Sequence, residues 1–357
     1  MTDDLVVTGY GAVSAAGIGA AATAAALATG PRPAPDVTGL YQDPLPFPTA
    51  YALVDFDVRA TLGRKGTTFI DRATALALVA CGEAIEHAGL VVDDACRDRI
   101  GVVLGTTLGS MASEIDYSRE TLVADRPYLV NPALFPNTVM NSASGQAAIR
   151  YGLRGVNSTV ATGRVGFLGA LRYAENVLRR GYASVMLVGA VEELTPHTAW
   201  THERLGRPGR PGEAAVVFVV EPAAAAATAG RAALARLVGV VEGYQPRAAN
   251  GALGRRIAAC IPDGGPPGIN GLAGTAPWTE ADERVAVALR QALPDAVELP
   301  DVREALGDCG AAGPALQCAA LMGELAAGNL TGAGLLASWS PEGAFAAAVL
   351  TAADAAG

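Results

Sequence analysis

The chain has 357 residues, 51% of them apolar, 17% charged, and a formal net charge of −9. That length exceeds one small core and implies two domains or one large fused unit with a sizeable interior. The acidic balance, with no basic run against it, speaks against nucleic acid or an anionic membrane surface as the main partner. The charged fraction is low against the usual ~25%, and this leaves apolar surface for a protein partner.

The N-terminus, Met1-Thr2-Asp3-Asp4-Leu5-Val6-Val7-Thr8-Gly9, is acidic and passes directly into a strand-like run, unlike a signal or transit peptide. Short apolar runs recur at Leu5 to Gly9, Ile100 to Gly105, Val185 to Gly189, Ala214 to Glu221, Ala235 to Gly239 and Leu335 to Trp339. They are short, rich in β-branched residues and lack alternation, the pattern of strands covered on both faces. Between them lie helical stretches at Asp71 to His87, Arg164 to Arg180, Glu280 to Leu293 and Ala312 to Ala326. Strands alternating with long helices predict an α/β layered fold. The Arg164 to Arg180 stretch closes on Arg179-Arg180-Gly181, cations and a glycine suited to a helix C-terminus. Composition changes near Pro222 to Arg231, which places a boundary between two halves, 1–222 and 223–357. The Pro/Gly clusters Arg207 to Gly212 and Pro262 to Gly268 read as loops.

No apolar run approaches ~20 residues free of charge or glycine, so no membrane span is expected. Cys81, Cys96, Cys260, Cys309 and Cys318 are scattered without metal-ligand spacing. They read as small buried thiols of a protein kept in a reducing cytoplasm, with neither metal nor cofactor implied.

Four ordered segments carry a resemblance. Val7-Thr8-Gly9-Tyr10-Gly11-Ala12-Val13-Ser14 opens the chain, and Arg99-Ile100-Gly101-Val102-Val103-Leu104-Gly105-Thr106 forms a later strand. Asn131-Pro132-Ala133-Leu134-Phe135-Pro136-Asn137 runs on to Gly145-Gln146, and Gly310-Ala311-Ala312-Gly313 makes a late turn. Together, and across most of the chain, they resemble the ketosynthase family of the thiolase fold. The resemblance implies two related α/β halves packed as a five-layered αβαβα sandwich.

In that family a nucleophilic cysteine stands on a strand-to-helix turn, three residues before a glycine. The matching turn is Ser158-Thr159-Val160-Ala161-Thr162-Gly163, with Val160 at the cysteine's place. Valine has no lone pair with which to form an acyl-enzyme. The family's two histidines match Ala273, before Gly274-Thr275, and Gly307, before the Gly310 turn. Neither residue has a side chain able to donate a hydrogen bond or move a proton. The family's C-terminal glycine-rich loop appears as Ser340-Pro341-Glu342-Gly343, and the stretch from Tyr244 to Asn270 is shortened.

The remaining candidates have plainer roles. His87 ends a helix, where an imidazole meets the helix dipole. His197 and His202 follow a strand end near the family's pocket and read as solvated or capping side chains. Cys309 reads as an inert small residue, and Ser158, Thr159 and Thr162 as strand and cap hydroxyls. Arg179-Arg180, Arg255-Arg256, Arg207 and Arg210 read as a solvated face, with docking of an acidic carrier protein as the sharper alternative.

A scaffold that has lost all three positions resembles the chain-length factor, the inactive partner of a catalytic ketosynthase in type II polyketide synthases. The resemblance implies a heterodimer that works on an acyl carrier protein bearing the growing chain. It also implies a tunnel lined by Met111, Ile115, Tyr117 and Ser118, with Leu134 and Phe135 reaching across the contact. Two other readings remain open from sequence. One is a malonyl-carrier decarboxylase or acyltransferase with a relocated catalytic group, and the other a homodimeric thiolase-fold binding protein.

Overall fold

A computed structural model describes residues 4–244, 268–274 and 279–353. The Arg255-Arg256 pair, Cys260, Thr275 and most of the Pro262 to Gly268 loop lie outside the described residues.

The first half runs β1 (Leu5–Ser14), β2 (Gly17–Ile18), α1 (Ala20–Thr29), α2 (Val58–Leu62), α3 (Arg72–His87), β3 (Ile100–Thr106), α4 (Met111–Val123), α5 (Ser142–Tyr151), β4 (Asn157–Ala161), α6 (Gly166–Arg179), β5 (Val185–Glu192), α7 (Pro196–Arg204) and β6 (Ala214–Pro222). The second runs α8 (Ala223–Thr228), β7 (Ala235–Tyr244), β8 (Ile269–Gly274), α9 (Glu280–Ala292), β9 (Val297–Glu298), α10 (Val302–Leu306), α11 (Gly313–Ala326), β10 (Ala333–Trp339) and β11 (Ala344–Ala352).

Strand order exposes an internal repeat. Outward from the middle, the first half reads β1-β6-β5-β3-β4 and the second β7-β11-β10-β8-β9. Pairing sense repeats as well. In each half the two inner contacts are antiparallel and the two outer ones parallel. The half-sheets meet where β1 pairs antiparallel with β7, Leu5 opposite Leu237 and Val7 opposite Ala235.

Both faces of each half-sheet are covered, which explains the unalternating strands. On β6, Val216, Phe218 and Val220 enter the central core, shared with Phe167 and Leu171 of α6 and Leu316 and Leu321 of α11. Ala215, Val217 and Val219 face outward onto α3, with Leu76 and Ala80. On β10, Leu336 points to the central core, whereas Leu335, Ala337 and Trp339 pack with Val285 and Leu289 of α9. The layers are therefore α3 and α5, a half-sheet, α6 and α11, the other half-sheet, and α9. This is the five-layered αβαβα arrangement of two related halves that the resemblance implied.

All six strand runs and four helices expected from the pattern are present, with shifted ends. The helix expected from Arg164 begins as a 3-10 turn, Gly163–Val165, and becomes α-helical at Gly166.

Candidate functional site

The site lies where the two halves meet. β4 is the outermost strand of its half-sheet and runs parallel to β3, with Gly105 opposite Val160 and Thr106 opposite Ala161. Gly163 turns the chain at φ +60°, a left-handed conformation suited to glycine. Val160 is half-buried against α6, while Ala161 and Thr162 are exposed. A Cβ on Gly169 would lie 3.1 Å from Val160 Cγ1 and 3.7 Å from Glu242 Oε2, so the helix approaches closely because residue 169 has no side chain. Only methyl groups occupy residue 160 at this turn.

The Gly310–Ala312 turn forms the facing wall. A Cβ on Gly166 would stand 3.1 Å from Ala311 Cβ, placing the start of α6 directly on this turn. Glu192, at the end of β5, accepts hydrogen bonds from Thr107 N and from Ala311 N, the latter at 3.4 Å. Ala273 is buried on β8 opposite Leu336, in the same central core against which Val160 packs. Gly307 ends α10 at φ +78°, and a Cβ there would lie 2.6 Å from Tyr51 Cδ2. Val160 and Ala273 thus belong to one central core, Gly307 follows Leu306 of that core, and none of the three carries a titratable atom.

Charged groups that carry no sequence motif adjoin the Val160 turn. Arg164 is 5% exposed, and its Nη1 lies 3.7 Å from Asp282 Oδ2, itself 2% exposed. Asp282 belongs to the capping box that opens α9, accepting from Thr279 N at 3.0 Å. Burial lowers the Arg164 guanidinium to about 10, against the opposing charges of Asp308 and Asp282. It stays charged at neutral pH. The only sequence signal for this residue is a cation inside an otherwise apolar helix start.

A cavity of about 100 Å3 opens beside this network, lined by Thr107, Met111, Glu192, Glu193, His202, Arg207 and Asp308, among others. His202 departs from the solvated role expected of it, because α7 turns it inward to 4% exposure. Its Nε2 lies 3.9 Å from Asp308 Oδ2, too far for a direct hydrogen bond. Burial holds the imidazole below its ordinary value, so it is neutral at pH 7. His197 also has a buried Nδ1 with no hydrogen-bond partner.

Burial pushes Glu192 up to about 7, partly offset by the Thr107 hydrogen bonds. It pushes Glu193 up to about 8, assisted by the charge of Asp71. Cys309 is held well above an ordinary thiol by burial and by Asp308, Glu213 and Glu192, so it is no thiolate nucleophile. His87 binds locally, its Nδ1 2.9 Å from Tyr10 O, and ties α3 to β1.

Among the expected tunnel residues, Met111, Ile115 and Ser118 share one face of α4, and Met111 lines the cavity. Ser118 is exposed and Ile115 half-buried. Tyr117 lies on another face and meets Phe135 edge-on, the ring centroids 5.9 Å apart. Leu134 is half-buried and Phe135 is 53% exposed. Leu122, Val123, Tyr128, Leu129, Met140 and Ile149, on α4, α5 and the segment between them, are exposed as well. α4 packs on the Pro132–Thr138 turn, and α5 packs on that turn and on β4, the outermost strand of its half-sheet.

Among the described residues no helix is long and apolar enough to cross a membrane.

Comparison with known proteins places these features. Residues 2–218 match the family described as beta-ketoacyl synthase, N-terminal domain. The 3-oxoacyl-[acyl-carrier-protein] synthase 2 of Staphylococcus aureus is 29% identical over 195 residues, covering 55% of this chain and 47% of that protein. Its counterpart in Synechocystis sp. is 33% identical over 144 residues, covering 40% and 34%. The matched region thus spans about half or less of these relatives' length. Among solved structures, the ishigamide ketosynthase/chain length factor aligns with TM-score 0.83 and 32% identity, covering 98% of this chain and 99% of that one. A beta-ketoacyl synthase from Burkholderia phymatum aligns with TM-score 0.81 at 19% identity and the same coverage, which speaks for the fold alone. The same holds for AntDE:AntF, a type II acyl-carrier protein in complex with its ketosynthase, at TM-score 0.80 and 20% identity.

Proposed function

The chain belongs to the beta-ketoacyl synthase family, and from that premise we propose that it is a non-catalytic chain-length factor. In this reading it pairs in the cytoplasm with an active ketosynthase of a type II polyketide synthase. The pair condenses malonyl units on an acyl carrier protein, and this subunit bounds the growing chain.

The observation that carries the reading is Val160 at the turn between β4 and α6, where condensation needs a nucleophile. Ala273 and Gly307 support it, since neither side chain can polarise a thioester carbonyl. The apolar surface beside β4 supports the pairing. An open strand edge flanked by exposed Phe135, Met140 and Ile149 calls for a cover. The ishigamide ketosynthase/chain length factor, to which this chain is similar over nearly its whole length, supports such an assembly. The same reading divides the chain into halves 1–222 and 223–357, supported by the repeated strand order on either side of α8.

Within the pair, Met111, Ile115 and Ser118 would line the tunnel, with Tyr117 braced against Phe135 and Leu134 at the contact. The test is co-expression with a ketosynthase that has its cysteine and both histidines, followed by mass analysis of products. Met111→Trp or Ser118→Trp is expected to shorten the product. Unchanged product length with both variants would overturn the tunnel role. Decarboxylation of malonyl-carrier by the isolated chain above background would overturn the non-catalytic reading.

A further inference from the structure

α4 carries the three residues proposed to line the tunnel, yet none of its thirteen residues is buried. Its contacts fall mainly on the Pro132–Thr138 turn and on α7. A helix with so little buried surface holds one position only if something else ties it down.

The tie is at its N-terminus. Two neighbouring glutamates at the end of β5 hold the link from β3 to α4. Glu192 accepts from Thr107 N, where the link begins. Glu193 accepts from Ser110 Oγ at 3.2 Å and from Ala112 N at 3.4 Å, where α4 begins. Ser110 is the N-cap of α4, its Oγ also accepting from Ser113 N at 3.3 Å. Between the two glutamates, Gly109 N donates to Thr106 Oγ1 at 3.0 Å.

On its other side Glu193 reaches the fixed part of the fold. Its Oε2 accepts at 3.2 Å from Ala73 N, in the first turn of α3, whose residues are mostly buried against β1 and β6. Two helix N-termini thus converge on one carboxyl, and free N–H groups there favour an oxygen acceptor. Glu193 is 4% exposed, where a carboxyl is costly to keep unless its oxygens are bonded in this way. Met111 stands between Ser110 and Ala112 and lines the same cavity as Glu193, with Ile115 and Ser118 following on its face of the helix.

We infer that Glu193 is a positioning residue for product length: by tying the start of α4 to α3, it fixes where the Met111, Ile115 and Ser118 face stands against the growing chain. The inference rests on the chain-length-factor reading and names the residue through which the buried core imposes the length. The acyl chain meets α4, and Glu193 acts through it.

The test is product mass analysis of the full chain co-expressed with the same ketosynthase, with folding checked by circular dichroism and gel filtration. Glu193→Ala releases the start of α4 and is expected to raise the ratio of longer to native-length product about tenfold, the order by which a pocket discriminates one small apolar group. Ser110→Ala removes one bond of the clasp and should shift the ratio less, in the same direction. It decides the matter if Glu193→Ala does not fold. Burial keeps Glu193 protonated at neutral pH, so the neutral amide of Glu193→Gln, its oxygen toward α4, should restore the native distribution. Arg231→Ala breaks the buried pair with Glu221, at the opposite end of β6, and should destabilise the chain without changing product length.

An unchanged distribution from both Glu193→Ala and Ser110→Ala, while Met111→Trp shortens the product, overturns the positioning role and leaves the chain-length reading standing. A shift from Arg231→Ala equal to that from Glu193→Ala overturns it too, because general loosening would then suffice. Products unmoved by Met111→Trp and Ser118→Trp overturn the tunnel reading itself, and the positioning role with it.

Discussion

Tyr51 occupies the space that a side chain on Gly307 would need. The Tyr51 hydroxyl donates to Arg32 O at 2.7 Å and to Glu304 O at 3.1 Å, which fixes the ring across the end of α10. A Cβ on Gly307 would lie 2.6 Å from its Cδ2, and the backbone there is left-handed at φ +78°. An imidazole at residue 307 is thus excluded twice, by packing and by backbone.

Gly307→Ala is expected to destabilise the protein by on the order of 3 kcal/mol, combining strain at positive φ with overpacking. Adding Tyr51→Ala should recover the packing part only, so the double substitution costs less than the sum of the singles. Urea denaturation of the four proteins in this cycle measures it. Strict additivity would show that the two residues do not compete for the space.

The segment Tyr51–Leu53 is anchored by backbone hydrogen bonds to Pro211 and Glu213 and by a buried ion pair. Glu213, fully buried, receives Arg72 Nε at 2.8 Å and Nη2 at 2.6 Å, and also accepts Leu53 N at 2.8 Å. Arg72→Ala leaves that carboxylate unpaired and is expected to cost about 3–5 kcal/mol. A loss under about 1 kcal/mol, the range of exposed pairs, would contradict the burial seen here.

Glu193 gives a pH signature. It accepts from Ala73 N at 3.2 Å, Ser110 Oγ at 3.2 Å and Ala112 N at 3.4 Å, joining the starts of α3 and α4. Its folded value of about 8 exceeds the ordinary 4.5, so the native state holds a proton that the unfolded chain releases. That contribution is complete below about pH 4.5 and is lost as pH rises through 8. Glu193→Gln removes the titration. The stability of the native chain relative to this variant should therefore fall between pH 5 and 8 in thermal melts. His202, whose shift acts in the opposite direction, is common to both proteins and cancels.

Phe135→Ala and Ile149→Glu probe the proposed partner surface. Both residues are exposed, at 53% and 76%, so the isolated chain should keep its melting temperature. Affinity for the proposed ketosynthase partner should fall about 10- to 100-fold, as when an aromatic or aliphatic anchor is removed from an interface. Calorimetric titration of the two subunits reads this directly. Undiminished affinity in both variants would move the contact elsewhere.

Sequence periodicity revealed the layered fold because strands covered on both faces, such as β3, β5 and β6, read as unbroken apolar runs. It missed β11, whose run Ala344–Ala352 is mostly alanine, a residue with little strand preference of its own. That strand forms because β7 and β10 flank it and complete its hydrogen bonds. The alanines from Ala223 carried no expected structure, yet they form α8 directly after Pro222. At the site, Val160 was identifiable from its turn, whereas the burial of Arg164 and the inward turn of His202 were not. Their partners, Asp282 and Asp308, lie in the other half of the chain.

The sequence by itself determined what Val160, Ala273 and Gly307 cannot do, because nucleophilicity and proton transfer reside in side-chain atoms that valine, alanine and glycine lack. Tertiary structure alone decided why the site has this form. Tyr51 closes over Gly307, and Arg164 meets Asp282 only after the two half-sheets pack. Local sequence fixes the chemistry each residue can offer, whereas contacts between distant segments decide which groups lose water and what space is left between them.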